Sequence, residues 1–186
     1  MTETVRSLEE QRAEFKKRKF LAMPIAGTIV WLGIGIISFF LEGQAMMLTT
    51  FIGAGSIFYL GLLVARFTGE NLLGSGAVKN SFDQLFIMVM VMALMVFAIA
   101  IPFAMMDVTS TPMSVGILTG LMWLPLSWSI QHWVGIFHAV CRTVLVLAVW
   151  YLLPDMRFTA IPFVVVAVYL VTLVILVKRW RHENRV

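Results

Sequence analysis

Six long apolar runs, separated by short islands that hold nearly all the charges, constrain this chain more than any other feature. They occupy residues 20–41, 45–66, 84–106, 113–130, 134–153 and 158–177. A helix needs roughly 20 residues to cross about 30 Å of hydrocarbon, and each run approaches or reaches that length. Because unpaired backbone groups are costly in lipid, continuous runs favour helices over alternating barrel strands. The sequence predicts an all-α, polytopic membrane helical bundle with six transmembrane helices.

Composition supports the same interpretation. Apolar residues make up 60% of the 186 residues and charged residues 13%, which lies outside the usual range of a water-soluble domain. The runs fill most of the chain and leave no room for a separate soluble domain. We therefore expect a basic N-terminal segment over 1–19, a six-helix transmembrane domain over 20–177 and a basic tail over 178–186.

The positions of the basic residues predict the orientation, because cytoplasmic flanks carry an excess of lysine and arginine. Of the 14 basic residues, all but Arg142 and Arg157 precede the first run, flank the second connection or follow the last run. Six crossings with both termini in the cytoplasm satisfy this distribution. The alternative is that one weak run is re-entrant, and the fourth, with its two prolines, is the weakest candidate for a crossing.

Two segments outside the runs carry recognisable patterns. Ser7 and Glu10 have capping-box spacing, and Glu14 and Arg18 form an i,i+4 pair on a plausible surface helix. This segment either contacts lipid or a partner, or serves only as a topology signal. The glycine-rich connection over 67–83 is either a mobile or gating loop or an ordinary connector.

Small residues and deep aromatic residues indicate where helices pack. Gly116 and Gly120 form a small-xxx-small pair in the fourth run, and Gly53 and Gly55 thin the second. These glycines serve packing inside one subunit or, alternatively, a face between two copies. The deep aromatic residues of the runs are expected to pack between helices or to need a hydrogen-bond partner there; they are Trp31, Tyr59 and Trp123.

His138 and Arg142 form the clearest polar constellation, because i,i+4 spacing places both on one face of the fifth run. A lipid-facing arginine costs about 2.5 to 3.5 kcal/mol on insertion scales, so Arg142 should face the bundle, water or an acid. Asp83 and a bound phosphate or carboxylate are the candidate anions. In the alternative, Arg142 extends toward the head groups and His138 bonds a helix carbonyl.

The cytoplasmic half of the fourth run is polar and carries Pro125, which removes a backbone donor and favours a kink. Ser127, Gln131 and His132 follow it, and a very short turn then leads into the fifth run. We therefore expect a small cytoplasm-facing cavity in which these three side chains lie beside the polar pair of the fifth run. That cavity is the predicted ligand site.

The sequence shows no enzyme signature: it has no nucleophile elbow, no zinc-protease motif, no phosphate-binding glycine loop and no paired intramembrane aspartates. We predict no catalytic residue, no metal site and no cofactor, and the single Cys141 excludes an internal disulfide. Basic residues beside span ends suit anionic lipid head groups and do not indicate nucleic acid. The expected partners are membrane lipids, a second copy or another membrane protein.

Three functions stay open at this point. The first is a non-enzymatic protein that binds or passes a small solute or lipid through the predicted polar pocket between the fourth and fifth runs. The second is a scaffold or regulatory subunit that binds another membrane protein. The third is an intramembrane enzyme, which the missing signatures make the weakest.

Three stretches resemble a family of small multi-pass bacterial membrane proteins of unknown function. They are residues 27–32 in the first run, 55–66 in the second and 119–128 in the fourth. The resemblance implies a multi-pass protein of the bacterial inner membrane. It implies no activity, cofactor or catalytic residue.

Overall fold

The structure is a computed structural model that describes residues 6–72 and 80–184. Helices dominate this part of the chain and no strand occurs in it. The α-helices are α1 (Leu8–Lys16), α2 (Ala22–Ile37), α3 (Gly43–Thr68), α4 (Ser81–Met95), α5 (Phe97–Met106), α6 (Thr111–Gly120), α7 (Trp123–Ile130), α8 (Val134–Leu152) and α9 (Arg157–Glu183). Short 3-10 turns, Val108–Ser110 and Pro154–Met156, precede α6 and α9. The prediction of an all-α bundle is confirmed.

Five segments of the described chain are long and apolar enough to cross a membrane. They are Gly43–Thr68, Ser81–Met106, Val108–Ile130, Val134–Leu152 and Pro154–Glu183. The predicted first run over 20–41 contains only the 16-residue helix α2, about 24 Å long at 1.5 Å per residue. It is shorter because α2 ends in turns after Ile37, where the Ser38 hydroxyl bonds the Gly35 carbonyl and Thr159.

The fourth predicted run is broken, as its proline indicated. Helix α6 ends at Gly120, and α7 begins at Trp123, two residues before Pro125. Proline cannot donate to the carbonyl one turn earlier, so the ladder of hydrogen bonds is interrupted at this level. Helix α6, before the break, is deeply buried. Helix α7, after the break, is more polar and leads into the turn before α8.

Helix α9 forms the centre of the bundle. It packs against α2, α6 and α8, and α2 packs in turn along α3. Ile161, Val165 and Leu176 of α9 are fully buried, as are Trp31 of α2 and Val146 of α8. The segment α4–α5 lies at the side and contacts mainly α1, α6 and α7.

The N-terminal segment docks onto the end of the bundle. Its capping box between Ser7 and Glu10 is confirmed, and so is the Glu14–Arg18 ion pair, at 3.9 Å. The guanidinium of Arg12 lies 4.6 Å from the Trp128 ring centroid of α7. Helix α1 is thus fixed to the ends of the helices that follow it.

The N-terminal segment and the last turns of α9 meet at this same face. The Arg179 guanidinium of α9 donates to the carbonyls of Lys16, at 2.8 Å, and Arg18, at 2.7 Å. Lys19 donates to the carbonyl of Thr68 at the end of α3. The face therefore collects the starts of α2, α4 and α8 and the ends of α3, α7 and α9.

Expectations about the loop and the deep aromatic residues have mixed outcomes. Residues 73–79 of the glycine-rich connection, including Gly74, Gly76 and Lys79, lie outside the described residues. Trp31 and Trp123 are buried between helices, as expected. Tyr59 is 72% exposed, so its predicted packing between helices is wrong: it lies on the outer face of α3.

Candidate functional site

A fully buried cation lies near the middle of the bundle. Arg142 is the ninth of the 19 residues of α8, and its side chain is completely inaccessible. Gly120 of α6 makes the room, because a Cβ at that position would lie 2.9 Å from Cδ of Arg142. Because Gly120 has no side chain, the long side chain of Arg142 fits between the helices.

The Arg142 guanidinium is held by neutral groups of three helices. Its Nη2 donates to the Thr119 hydroxyl at 2.9 Å, and its Nη1 donates to the Tyr169 hydroxyl at 3.2 Å. The guanidinium carbon lies 5.3 Å from the Trp31 ring centroid and 5.4 Å from that of Tyr169. Ring faces attract cations, so α2 and α9 both contribute to holding the charge.

His138 lies one turn before Arg142 and is also fully buried. The Thr172 hydroxyl donates to the Val168 carbonyl, so its oxygen accepts from Nδ1 of His138 at 2.9 Å. The lone pair of Nε2 then faces Nη1 of Arg142 at 3.5 Å. This arrangement fits a neutral imidazole, which is also stacked on the Trp123 ring at 4.2 Å.

Among the described residues the cluster has no counter-charge, and two of its donors are unsatisfied. No carboxylate of the described chain lies within ion-pair distance of Arg142, and Asp83, the candidate anion, pairs with Arg18 instead. The Arg142 Nε–H and the Trp31 indole N–H are both buried without a hydrogen-bond partner in the described residues. Buried donors of this kind cost about 1–3 kcal/mol each unless an acceptor meets them.

A cleft of about 450 Å³ adjoins the cluster. Thr119 and Tyr169, the two residues that accept hydrogen bonds from the arginine, line it together with Met23, Gly55 and Phe97. The cleft thus lies between the centre of the bundle and the segment α4–α5. Arg142 itself does not line the cleft and contacts its wall through the Thr119 and Tyr169 hydroxyls.

The other three predicted site residues form a separate network at the turn before α8. The Ser127 hydroxyl donates to the His132 carbonyl and accepts from the Ile136 N–H, at 3.2 Å. Gln131 accepts from Nζ of Lys16, which ties the turn to the N-terminal segment. The structure therefore brings Ser127, Gln131 and His132 together, and brings His138 and Arg142 together, as two groups.

His132 itself is half-buried, and its Nδ1 accepts from the Val134 N–H at 3.2 Å. Burial, with a smaller contribution from the charge of Arg179, lowers the pKa of His132 below its usual value near 6.5. The neutral imidazole is thus the form that suits both the acceptor role and the surroundings.

The glycines of the sequence prediction differ in what they face. A Cβ at Gly116 would meet Val146 and Ile161 at ordinary contact distance, so α6 packs there on α8 and α9. A Cβ at Gly53 would lie 3.0 Å from Ile34 of α2, whereas Gly55 has no described atom within 4 Å of that position.

Sequence reasoning missed Thr119, Tyr169 and Thr172 as partners of the polar pair. The only available signal was that each is a polar side chain inside an apolar run. Gly27 was also missed: a Cβ there would lie 2.5 Å from Cζ of Tyr169, so this glycine allows the ring to reach the arginine.

The hydroxyls around His138 and Arg142 are engaged in hydrogen bonds within the protein. The Thr119 and Thr172 hydroxyls donate to the Val115 and Val168 carbonyls of their own helices, and the Tyr169 hydroxyl accepts from Arg142. Within the described chain, no group of three His, Cys, Asp or Glu side chains is placed to hold a metal ion.

Comparison with known proteins gave one positive finding. The sequence model of a family of unknown function, DUF7010, matches residues 8–179. No curated protein and no solved structure matches the chain.

Proposed function

The chain belongs to this family of unknown function, and on that premise we propose that it is a non-enzymatic multi-pass protein of the bacterial inner membrane that binds a small anionic solute at Arg142. The observation that carries the proposal is the buried guanidinium, held by neutral oxygens near the middle of a membrane-spanning helix, with donors left unsatisfied. Ionisable groups at this depth are expensive and are retained where they contact a substrate or an ion.

The proposed topology has six crossings with both ends in the cytoplasm. Contact between Arg179 and the carbonyls of Lys16 and Arg18 supports placing both ends on one side. The basic residues at that face support the cytoplasmic side. Helix α2 then crosses with help from its flanking residues, since a short span is accommodated by local thinning of the bilayer.

The site in this proposal extends the predicted pocket of the fourth and fifth crossings. The polar part of the cleft wall comes from Thr119 of α6 and Tyr169 of α9, and the Arg142 guanidinium of α8 lies behind these two hydroxyls. Ser127, Gln131 and His132 form the cytoplasmic end of the same helix pair, where a solute would enter or leave.

Thermal unfolding in detergent tests the ligand class, with sodium phosphate and sodium acetate as probes against sodium chloride of equal ionic strength. A ligand that binds only the folded protein raises the unfolding midpoint as its concentration exceeds its dissociation constant. We expect phosphate or acetate to stabilise the wild type and the control Arg157→Gln, but not Arg142→Gln. Equal midpoints in all three salts for the wild type would overturn the proposal.

Cysteine labelling tests access and topology independently. Cys141→Ala removes the single cysteine, so a cysteine placed at Thr119, which lines the cleft, reports only on that position. We expect a small charged thiol reagent to modify it, and phosphate to slow the reaction. A residue that stays unmodified in the folded protein would contradict an accessible site, and outside labelling of cysteines at Ser7 and Glu183 in intact cells would contradict the topology.

A further inference from the structure

A second set of cavities starts at the face where the N-terminal segment meets the end of α9, and continues between α2 and α4. The basic cleft, of about 710 Å³, is lined by Lys17, Arg18, Lys19, Glu70 and Trp180. The apolar groove continues from it between α2 and α4, and its first part measures about 550 Å³. Neither His138 nor Arg142 lines these cavities.

Two cations of the basic cleft form no ion pair with a described carboxylate. Arg18 is paired with Asp83 and Glu14. In the residues that the structure describes, Lys17 and Lys19 have no acidic side chain within ion-pair distance. Lys19 donates to a helix-end carbonyl and lies 5.0 Å from the Trp180 ring centroid.

The acidic residue of the cleft does not cancel these charges at close range. The carboxylate of Glu70 accepts from the backbone N–H groups of Leu21 and Ala22, at 3.0 to 3.1 Å. It therefore caps the start of α2. Two ammonium groups thus remain for an anion at the mouth of the groove.

The apolar groove is continuous with this cleft and reaches toward the bundle centre. Four side chains line both cavities, namely Phe15, Phe20, Leu72 and Phe86. Three methionines, Met23, Met90 and Met122, then line both the first part and the cleft of about 450 Å³ beyond it. Flexible thioethers adapt to ligands of irregular shape.

The groove has the depth of one leaflet. Its wall on α4–α5 runs from Leu85 to Phe97, which is 12 residues or about 18 Å along a helix. Half of a hydrocarbon core of about 30 Å is about 15 Å. A cationic mouth at one end and an apolar channel of this length match the two parts of an amphipathic molecule.

We propose that this groove binds one anionic glycerophospholipid, with its phosphate between Lys17 and Lys19 and one acyl chain between α2 and α4. Charge complementarity at the mouth selects the anionic head group, and the apolar walls hold the chain. The proposal depends on the protein being in a membrane, and the far end of its groove is the cleft that Thr119 and Tyr169, the hydrogen-bond partners of Arg142, also line. The lipid would fill the space between the bundle centre and the peripheral segment α4–α5.

Native mass spectrometry of the full chain in detergent tests the proposal, with dioleoyl phosphatidylglycerol and dioleoyl phosphatidylcholine as probes. We expect one phosphatidylglycerol to remain bound to the wild type in preference to phosphatidylcholine. A basic residue near an anionic head group contributes enough to change affinity about fivefold. Lys17→Gln should therefore weaken phosphatidylglycerol binding about fivefold, and Lys17→Gln/Lys19→Gln about 25-fold.

Matched variants separate this site from general surface charge. Lys178→Gln/Arg181→Gln removes two exposed charges from the same face, outside the lining of the cleft, and should leave binding unchanged. Met90→Trp narrows the groove and should weaken both lipids. Lys17 is exposed and makes no ion pair with a described residue, so its variant tests the mouth without disturbing the fold.

Two results would overturn the proposal: no preference for phosphatidylglycerol, or an equal loss in the Lys178→Gln/Arg181→Gln control. Arg142→Gln distinguishes this proposal from the previous one, because it should abolish the response to small anions and leave the phospholipid in place.

Discussion

Helix α9 and the segment α4–α5 are almost equally apolar, yet they occupy opposite kinds of environment. Their most apolar windows have mean hydropathies of 2.9 and 2.8, but 44% of the first is buried within the protein and only 17% of the second. Lipid tails are as apolar as leucine, so hydropathy indicates that a helix lies in the membrane but not whether it contacts lipid or protein. Something else therefore decides which helix becomes central.

The difference lies in the few polar and small residues. Helix α9 carries Tyr169 and Thr172 well inside its span, and both bond side chains of α8. The polar residues of α4 cluster at its first turn, where Asp83 meets Arg18. Interhelical hydrogen bonds and close approach at small residues hold membrane helices together, so the bundle forms where such residues face each other.

The largest expected effect comes from overfilling the centre. Gly27→Ala would place a methyl group 2.5 Å from the Tyr169 ring, so the ring must move away from Arg142. We expect a loss of about 1–3 kcal/mol in the free energy of unfolding. Gly33→Ala, in the same helix, meets no described atom within 4 Å and should be neutral or slightly stabilising. Thermal unfolding in detergent compares the two, and equal midpoints would break the distinction between centre and periphery.

A medium effect comes from one interhelical hydrogen bond. Thr172→Val keeps the shape of a fully buried side chain but removes the acceptor of Nδ1 of His138. Bonds of this class contribute about 0.6 kcal/mol on average and up to about 1.7, so we expect a loss in that range. Thr49→Val, on the exposed face of α3, removes only a bond to the Ala45 carbonyl and should change little. A larger loss of stability in Thr49→Val than in Thr172→Val would mean that these hydroxyls stabilise the protein through bonds within a helix and not between helices.

Much of the fold follows from one-dimensional features of the sequence. Apolar length and charged islands indicated the five long spans, and Pro125 indicated the break between α6 and α7. Ser7 and Glu10 predicted the start of α1 because a capping box is a local pattern. The predicted helix of the first run was too long, because apolar residues continue through the turns after Ile37 and composition does not distinguish a helix from a turn.

The candidate site could be predicted only in part. Spacing placed His138 and Arg142 on one face, and the contact between their side chains follows from that spacing. Their partners lie 23 to 34 residues away along the chain on two other helices, and no local pattern relates them. Helices that are apolar on all sides show little amphipathic pattern, so the sequence does not indicate which faces meet. Tyr59 was misplaced for the same reason.

The smallest expected effect lies at the periphery, where ion pairs replace packing. Asp83→Asn removes the pair with Arg18 that ties the start of α4 to the N-terminal segment. Because both side chains are partly accessible, we expect a loss of less than about 1 kcal/mol in the local stability of α4. It should appear as faster hydrogen exchange in α4 only. Salt should reduce the difference, since it screens the pair in the wild type and has nothing to screen in the variant.

Glu9→Gln provides the control for that experiment, because its pair with Arg12 is largely exposed at the glutamate. It should leave the exchange of α4 unchanged. If Asp83→Asn instead accelerated exchange in α8 and α9 as strongly as in α4, the periphery and the centre would unfold as one unit. The two regions would then differ in packing but not in stability, and the groove between them would open only when the whole bundle does.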